Sequence, residues 1–287
     1  MKTTALAPWF GSNRTLAHHV GAMLAGCEWV GVGFAGGMSE LKHITARTVV
    51  VNDLHRHVIN LAYTVGQAGA ELAAYLDALP FHPDTLVRAQ ERCELIEAGE
   101  RVGPEQTFEW AAAYFVSAWM SRNGTAGTDR EFKAGLSIRW DAGGGDSATR
   151  VRAAIDGLAE WQGVMRRCTF TILDVFAFLD QFKDRPKHGL YLDPPFPGPG
   201  DKYRHKFTEA NQRELARRLA AVERGRVVVR FYRHPLIEEL YPAELWEWLD
   251  LAGGKTQTNA AAPEVLIVRR AATSGTSTTG HERYAQL

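Results

Sequence analysis

The residues best suited to chemistry stand together at Tyr191-Leu-Asp-Pro-Pro-Phe-Pro197. The hydrophobic run Gly189-Leu-Tyr-Leu192 reads as a strand. It delivers Asp193 to its carboxyl end, the edge at which open α/β sheets bind ligands. Pro194 and Pro195 fix φ and carry no N–H, so the carbonyls beside them meet no competing backbone donor. The Asp193 carboxylate and the Pro194 carbonyl then offer two acceptors to an amino group on a planar base, and Phe196 offers a ring to stack on it. The plainer reading of these residues is a tight turn whose Asp caps the next segment.

A second set lies upstream. Gly31, Gly33, Gly36 and Gly37 surround Phe34 after the β-like run Glu28–Val32 and before a helical stretch. Glycines there let backbone approach a ligand closely, whether in a cofactor loop, a nucleotide loop for NAD or a flexible turn. Asp53 ends the β-branched run Arg47–Asn52, 17 residues after Gly36. A carboxylate there can accept both hydroxyls of a ribose. It can equally cap the helix whose stripe is Leu54, Val58, Leu61, Ala62 and Val65. Asp174, after the strand Cys168–Leu173, has the same capping alternative for a helix over Val175–Phe182.

The elements that must position these residues alternate. A helix capped by Asn13 and closed by Gly26, a strand at 28–33, a strand at 47–53 and the helix from Leu54 begin a doubly wound α/β sheet. The alternation stops between about 69 and 167. Helices are expected at Glu71–Leu79, Asp84–Ala98, Glu105–Ser121 and Ala148–Gly163, so 55–165 reads as a helical insertion in the sheet. The glycine-rich stretch Arg122–Ser147 reads as a flexible polar loop. The α/β pattern resumes at Cys168, with a helix at Glu209–Glu223, a strand at Arg226–Phe231, and strands at Glu244–Leu249 and Glu264–Val268 forming a terminal hairpin. The Ser-, Thr- and Gly-rich residues 271–287 predict a disordered tail.

Composition excludes several classes. With 287 residues and 45% apolar content the chain can bury a core without disulfides or metal. Lys plus Arg equals Asp plus Glu at 33 each, so a uniformly cationic coat is excluded while a local basic face is not. Three distant cysteines, Cys27, Cys93 and Cys168, form no CxxC, and the ten histidines show no ligand spacing, so no metal is expected. No signal peptide and no apolar run of about 18 residues are read. A soluble cytoplasmic protein with no membrane partner is expected.

The motif Asp193-Pro-Pro-Phe196 resembles the catalytic Asp-Pro-Pro-Tyr/Phe of amino-methylating DNA methyltransferases, and the order of motifs resembles the Dam-type adenine-N6 group. Trp9-Phe-Gly-Ser-Asn13 stands where that family has its Trp-x-Gly-Gly-Lys opening. Phe34-Ala-Gly-Gly37 stands where it has its cofactor loop, and Asn52-Asp53 where its second strand ends. Lys206-Phe-Thr-Glu209 and Pro263-Glu-Val-Leu-Ile267 extend the likeness over nearly the whole chain apart from the tail. The resemblance implies a Rossmann-like S-adenosylmethionine-dependent methyltransferase sheet over 1–54 and 166–270, with 55–165 as a helical target-recognition insertion. It implies S-adenosylmethionine held by Trp9, Asn13, Gly33, Phe34, Gly36, Gly37, Asp53 and Asp174. Catalysis would fall to Asp193, Pro194 and Phe196 on an adenine flipped out of double-stranded DNA, with an associated restriction nuclease as a further partner.

DNA contacts are expected in two places. Residues 201–233 hold ten Lys and Arg against four Asp and Glu, a local excess of six. Lys202, Arg204 and Lys206 begin just past Asp193, where phosphates of a flipped nucleotide would lie. Arg122 and Asn123, with Arg130 and Lys133, carry side chains suited to guanine and adenine edges. The same motifs also fit cytosine-N4 or RNA amino-methylation, and a catalytically silent DNA-binding relative. An NAD oxidoreductase fits less well, since Asp193-Pro-Pro-Phe196 offers no proton relay for hydride chemistry.

Overall fold

The computed structural model describes residues 4–11, 15–122, 125–140, 146–250 and 264–270. The chain runs α1 (Ala17–Met23), β1 (Trp29–Val32), a 3-10 turn at Ser39–Lys42 and β2 (Thr48–Asn52). Five helices follow: α2 (Arg56–Asp77), α3 (Pro83–Glu97), α4 (Thr107–Met120), α5 (Ser147–Asp156) and α6 (Leu158–Met165). Then come β3 (Cys168–Thr171), α7 (Val175–Gln181), β4 (His188–Leu192), α8 (Glu209–Ala220), β5 (Arg226–Tyr232), α9 (Pro235–Leu240), β6 (Trp246–Asp250) and β7 (Glu264–Arg269).

The described strands form one sheet of order β3-β2-β1-β4-β5-β7-β6. Strands β3, β2, β1, β4 and β5 are parallel, and β7 runs antiparallel between β5 and β6. This is a mixed α/β sheet compatible with a Rossmann-like fold, and its first five positions follow the doubly wound order 3-2-1-4-5. The expected terminal hairpin is the β6–β7 pair. Alternation in the strands separates two cores. Leu190, Leu192, Val227, Val229 and Phe231 face α7, α8 and α9, while Tyr191, Val228 and Leu266 face the side covered by α2, α4, α5 and α6. Helices α2 to α6 are thus the crossover from β2 to β3, and they share one core with β1 and β2.

Several local expectations change. The separate helices foreseen before and after residue 69 are one helix, α2, interrupted at Ala68 (φ −137°, ψ 42°). Two glycines of α2 serve packing. A Cβ on Gly69 would lie 2.9 Å from Gln162 Cβ, and one on Gly66 3.3 Å from Met165 Cβ, so both let α6 cross closely. The helix foreseen at Ala148–Gly163 is two, joined at Gly157. Helix α1 starts after Leu16, which makes no side-chain cap; the expected cap Asn13 lies outside the described residues. A 3-10 turn replaces the helical stretch foreseen after Met38, and α9 was not foreseen. The tail 271–287 lies outside the described residues. Among the described residues no helix is long and apolar enough to cross a membrane.

One glycine gives a sharp test of the packing around α1. A Cβ on Gly21 would lie 2.5 Å from both Cβ and the carbonyl oxygen of His43. Alanine is the better helix former by about 1 kcal/mol, but overpacking against a backbone costs about 1–3 kcal/mol. Gly21→Ala is therefore expected to lower the urea midpoint with an unchanged slope, and a raised midpoint would show that the α1 contact yields freely.

Candidate active site

Strand register builds the site. Val32 at the end of β1 pairs with Val51 of β2 and with Tyr191 of β4. The next residues, Gly33, Asn52 and Leu192, lie at one level, so the glycine loop, Asp53 and Asp193 emerge on the same edge. That edge lies where the strand order reverses between β1 and β4, the place at which doubly wound sheets bind ligands. A cleft of about 940 Å³, counting its open mouth, lies there. Trp9, Gly33, Phe34, Gly36, Gly37, Asp53, Asp174 and Asp193 all line it. Asn13 lies outside the described residues.

Asn52 pins this edge. Its Nδ2 donates to the carbonyls of Gly33 (3.2 Å) and Leu173 (2.9 Å), and its Oδ1 accepts from Thr171 Oγ1 and Leu173 N–H, both at 2.9 Å. One buried amide, with every donor and acceptor used, thus joins the ends of β1, β2 and β3. Sequence reading passed over it because the neighbouring carboxylate drew the chemistry.

Asp53 stands beside it and bridges two backbones. Oδ2 accepts from Gly36 N–H at 3.0 Å and Oδ1 from His55 N–H at 2.8 Å. The capping alternative fails: the residue before α2 is His55, whose Nδ1 accepts from Val58 N–H at 3.3 Å. Asp174 does cap its helix, accepting from Phe176 N–H at 2.9 Å, while also facing the cleft. The glycines are held by protein as much as opened for a ligand. A Cβ on Gly33 would strike Leu192 Cδ1 at 2.4 Å, and one on Gly37 would lie 2.8 Å from Ala7 O. Trp9 covers the loop, edge-on to His55 with ring centroids 5.0 Å apart.

A nucleoside-bearing cofactor fits the donor set. An ionised carboxylate has about four acceptor positions, and the two backbone N–H groups on Asp53 leave about two for ribose hydroxyls. Phe34, Leu173, Val175 and Phe207 supply apolar surface in the same cleft for a flat base. Among the described residues no group of three or more His, Cys, Asp or Glu side chains could hold a metal ion.

At Asp193 a residue enters that sequence reading had misplaced. Arg230 of β5, counted in the basic segment, is 1% exposed. Its Nη1 donates to Asp193 Oδ2 at 2.9 Å and to Gly11 O at 2.8 Å, and its Nη2 lies 3.0 Å from Glu264 Oε1. Burial pushes the Asp193 carboxyl up, and the Arg230 guanidinium opposes that push. The signal existed in the sequence: an arginine inside a buried strand, Val-Val-Val-Arg-Phe, needs a carboxylate partner.

The turn departs from expectation in one respect. Asp193 and Pro195 line the cleft, whereas Phe196 sits against β5, edge-on to Tyr232 (4.7 Å) and near Phe231 (5.6 Å). Phe196, foreseen as the stacking ring, is not among the residues lining the cleft. Trp9, Phe34, Tyr203 and Phe207 are aromatic residues that line it. Buried Gln212 braces the turn by donating to the Pro195 carbonyl at 2.7 Å. Pro194 follows Asp193 and is not part of the cleft lining.

Beneath the cleft lies a buried polar cluster. Glu131, 1% exposed, accepts from Gly127 N–H (3.0 Å) and Tyr114 OH (3.1 Å) and pairs with His55 Nε2 at 2.7 Å. Burial raises the carboxyl, but His55 and these donors outweigh it and hold Glu131 below the usual range. Trp110 donates to His57 Nδ1 at 2.7 Å, so the His57 Nε2–H faces Glu97 at 2.9 Å, and burial keeps His57 neutral to lower pH than usual. This cluster corrects the reading of Arg122–Ser147 as a freely flexible loop: its described part from 125 to 137 is anchored on Glu131, on Trp9 through Ala126, and on Gln90 through Ala134. Arg122, Arg130 and Lys133 remain exposed, while Asn123 lies outside the described residues.

The basic segment is also corrected. Carboxylates from elsewhere answer most of its charge. Arg204 meets Glu97, Lys206 meets Asp129, Arg213 meets Glu239, Arg218 meets Asp180 and Arg233 meets Asp250. Counting along the chain could not see these partners. Lys202 is exposed, over the Phe10 ring at 5.7 Å.

The Asn52 clamp is testable by an isosteric change. Asn52→Asp replaces the donating NH2 with an oxygen facing two carbonyls, at a cost of about 2–4 kcal/mol for two lost partners. A large fall in melting temperature is expected; an unchanged melting temperature would show that the strand ends hold without the amide. Compared with family models and with curated proteins, the chain matches none.

Proposed function

We propose that the protein transfers the methyl group of S-adenosylmethionine to the N6 amino group of adenine in DNA. The observation that carries this reading is that Asp193 opens on the same cleft as Asp53 and the glycine loop, at the switch between β1 and β4. When bound, S-adenosylmethionine supplies an already activated methyl group. Asp53 would hold its ribose, and Phe34, Leu173, Val175 and Phe207 its base. The adenine amino lone pair is delocalised into the ring, so the nitrogen is a poor nucleophile. Asp193 and the Pro194 carbonyl would accept hydrogen bonds from its two N–H groups and turn the lone pair toward the methyl group, while Trp9 and Tyr203 wall the flipped base. As the N–C bond forms the S–C bond breaks, leaving S-adenosylhomocysteine, and one amino proton is released. Exposed Arg122, Arg130, Lys133 and Lys202 would meet the DNA. Arg204 and Lys206 would do so only by exchanging their present carboxylate partners. An associated restriction nuclease rests on the family resemblance alone.

A second reading, a catalytically silent DNA-binding relative, has its own support. The Asp193–Arg230 pair would also suit a carboxylate kept only to satisfy a buried arginine. Tritiated methyl transfer from S-adenosylmethionine to duplex DNA, followed by nucleoside digestion and mass analysis, separates the readings. Under the proposal N6-methyladenine forms, and Asp193→Ala cuts the rate by about a hundredfold or more, the scale of one positioned electrostatic group. Asp53→Ala weakens cofactor binding by about ten- to a thousandfold, as expected for lost charge-assisted hydrogen bonds. Tight cofactor binding without transfer would favour the silent relative, and N4-methylcytosine would move the substrate to cytosine.

A further inference from the structure

A carboxylate at the end of a buried strand loses the support of water for its charge. At Asp193 the compensation comes from one buried guanidinium that is itself shared. Arg230 Nη1 holds Asp193 Oδ2 and the Gly11 carbonyl, and its Nη2 is paired with Glu264 Oε1 on β7. Its Cζ lies 5.3 Å from the centroid of the Phe196 ring, so the N-terminal segment, the β4 turn and β7 all fix its position. Two carboxylates therefore divide one positive charge. Three phenols also face this pair. Tyr191 hydrogen bonds to Asp193, Tyr203 lies within its field, and Tyr232 on β5 donates to Glu264 at 3.3 Å.

Resting on the reading of Asp193 as the acceptor of the target amino group, we propose that Arg230 and Glu264 are positioning residues that set its charge and aim. Arg230 keeps Asp193 a carboxylate and ties Oδ2 away from the cleft. Glu264 sets how much of the guanidinium charge Asp193 receives. The two act in opposite senses because their charges are opposite. Removing the negative neighbour Glu264 stabilises the ionised form of Asp193, and removing the positive neighbour Arg230 destabilises it.

The test is a carbon-13 NMR titration of the side-chain carboxyls in protein labelled at aspartate, with Asp193 assigned by its absence in Asp193→Asn. Glu264→Gln is expected to lower the Asp193 midpoint by about one pH unit. Arg230→Met should raise it by about one unit or more, with Arg230→Lys between Met and the natural residue. Arg230→Met leaves two carboxylates without their cation, so Glu264→Gln, at a partly exposed position, carries the test if that variant does not fold. A Glu264→Gln midpoint that rises or stays in place overturns the proposal. The acidic limb of the methyl-transfer rate should move with the same signs; midpoints that shift while this limb stays fixed also overturn it. Absence of any methyl transfer in the natural protein would contradict the proposed function, and the titration would then judge the pair by itself.

Discussion

One buried amide holds the floor on which the rest of the site stands. Asn52 joins the carboxyl ends of β1, β2 and β3 through four hydrogen bonds, and β1 passes the same level on to β4 through the Val32–Tyr191 register. Each bond contributes only about 0.5–1.5 kcal/mol net, yet leaving any of these buried groups unmade costs more. The clamp therefore acts mainly by exclusion: strand ends at other levels would strand a carbonyl or an N–H. With the levels fixed, the glycine loop, Asp53, Asp174 and Asp193 have no choice but to share a cleft.

Charge is managed inside this frame by pairing. The chain is neutral overall, and its cations are distributed to meet carboxylates remote in sequence: Arg230 with Asp193 and Glu264, Arg204 with Glu97, Arg218 with Asp180. Exposed pairs of this kind contribute little. The buried ones cost desolvation and hold geometry instead. Glu131 illustrates the second case. It draws Gly127, Tyr114 and His55 together, and Trp9 then spans from the glycine loop to the anchored segment at Ala126 and Gly127. The glycine loop and the segment at Ala126 and Gly127 are thus one packed unit.

The parts of this arrangement that depend on local pattern were legible in the sequence. Continuous β-branched runs such as Thr48–Asn52 and Arg226–Tyr232 are strands, and Asp53 and Asp193, which follow β2 and β4, line one cleft. Pattern failed where a residue answers to a distant partner. The apolar stripe read from Leu54 to Val65 and the helix expected from Glu71 are one helix, whose Gly66 and Gly69 are the contact with α6. Arg230 was counted as surface charge because its partners lie on β4 and β7. Phe196 was assigned to the cleft from its neighbours in sequence, whereas packing against Phe231 and Tyr232 draws it to β5. Glu131 had no periodicity to mark it as buried.

The proposal that one cleft serves both a cofactor and Asp193 is tested most directly by a crystal structure of the chain with S-adenosylhomocysteine. The account predicts the ribose within hydrogen-bond distance of Asp53, the adenine among Phe34, Leu173, Val175 and Phe207, and the sulfur facing Asp193. A ligand bound elsewhere, or seated in the cleft with its sulfur turned away from Asp193, would contradict it.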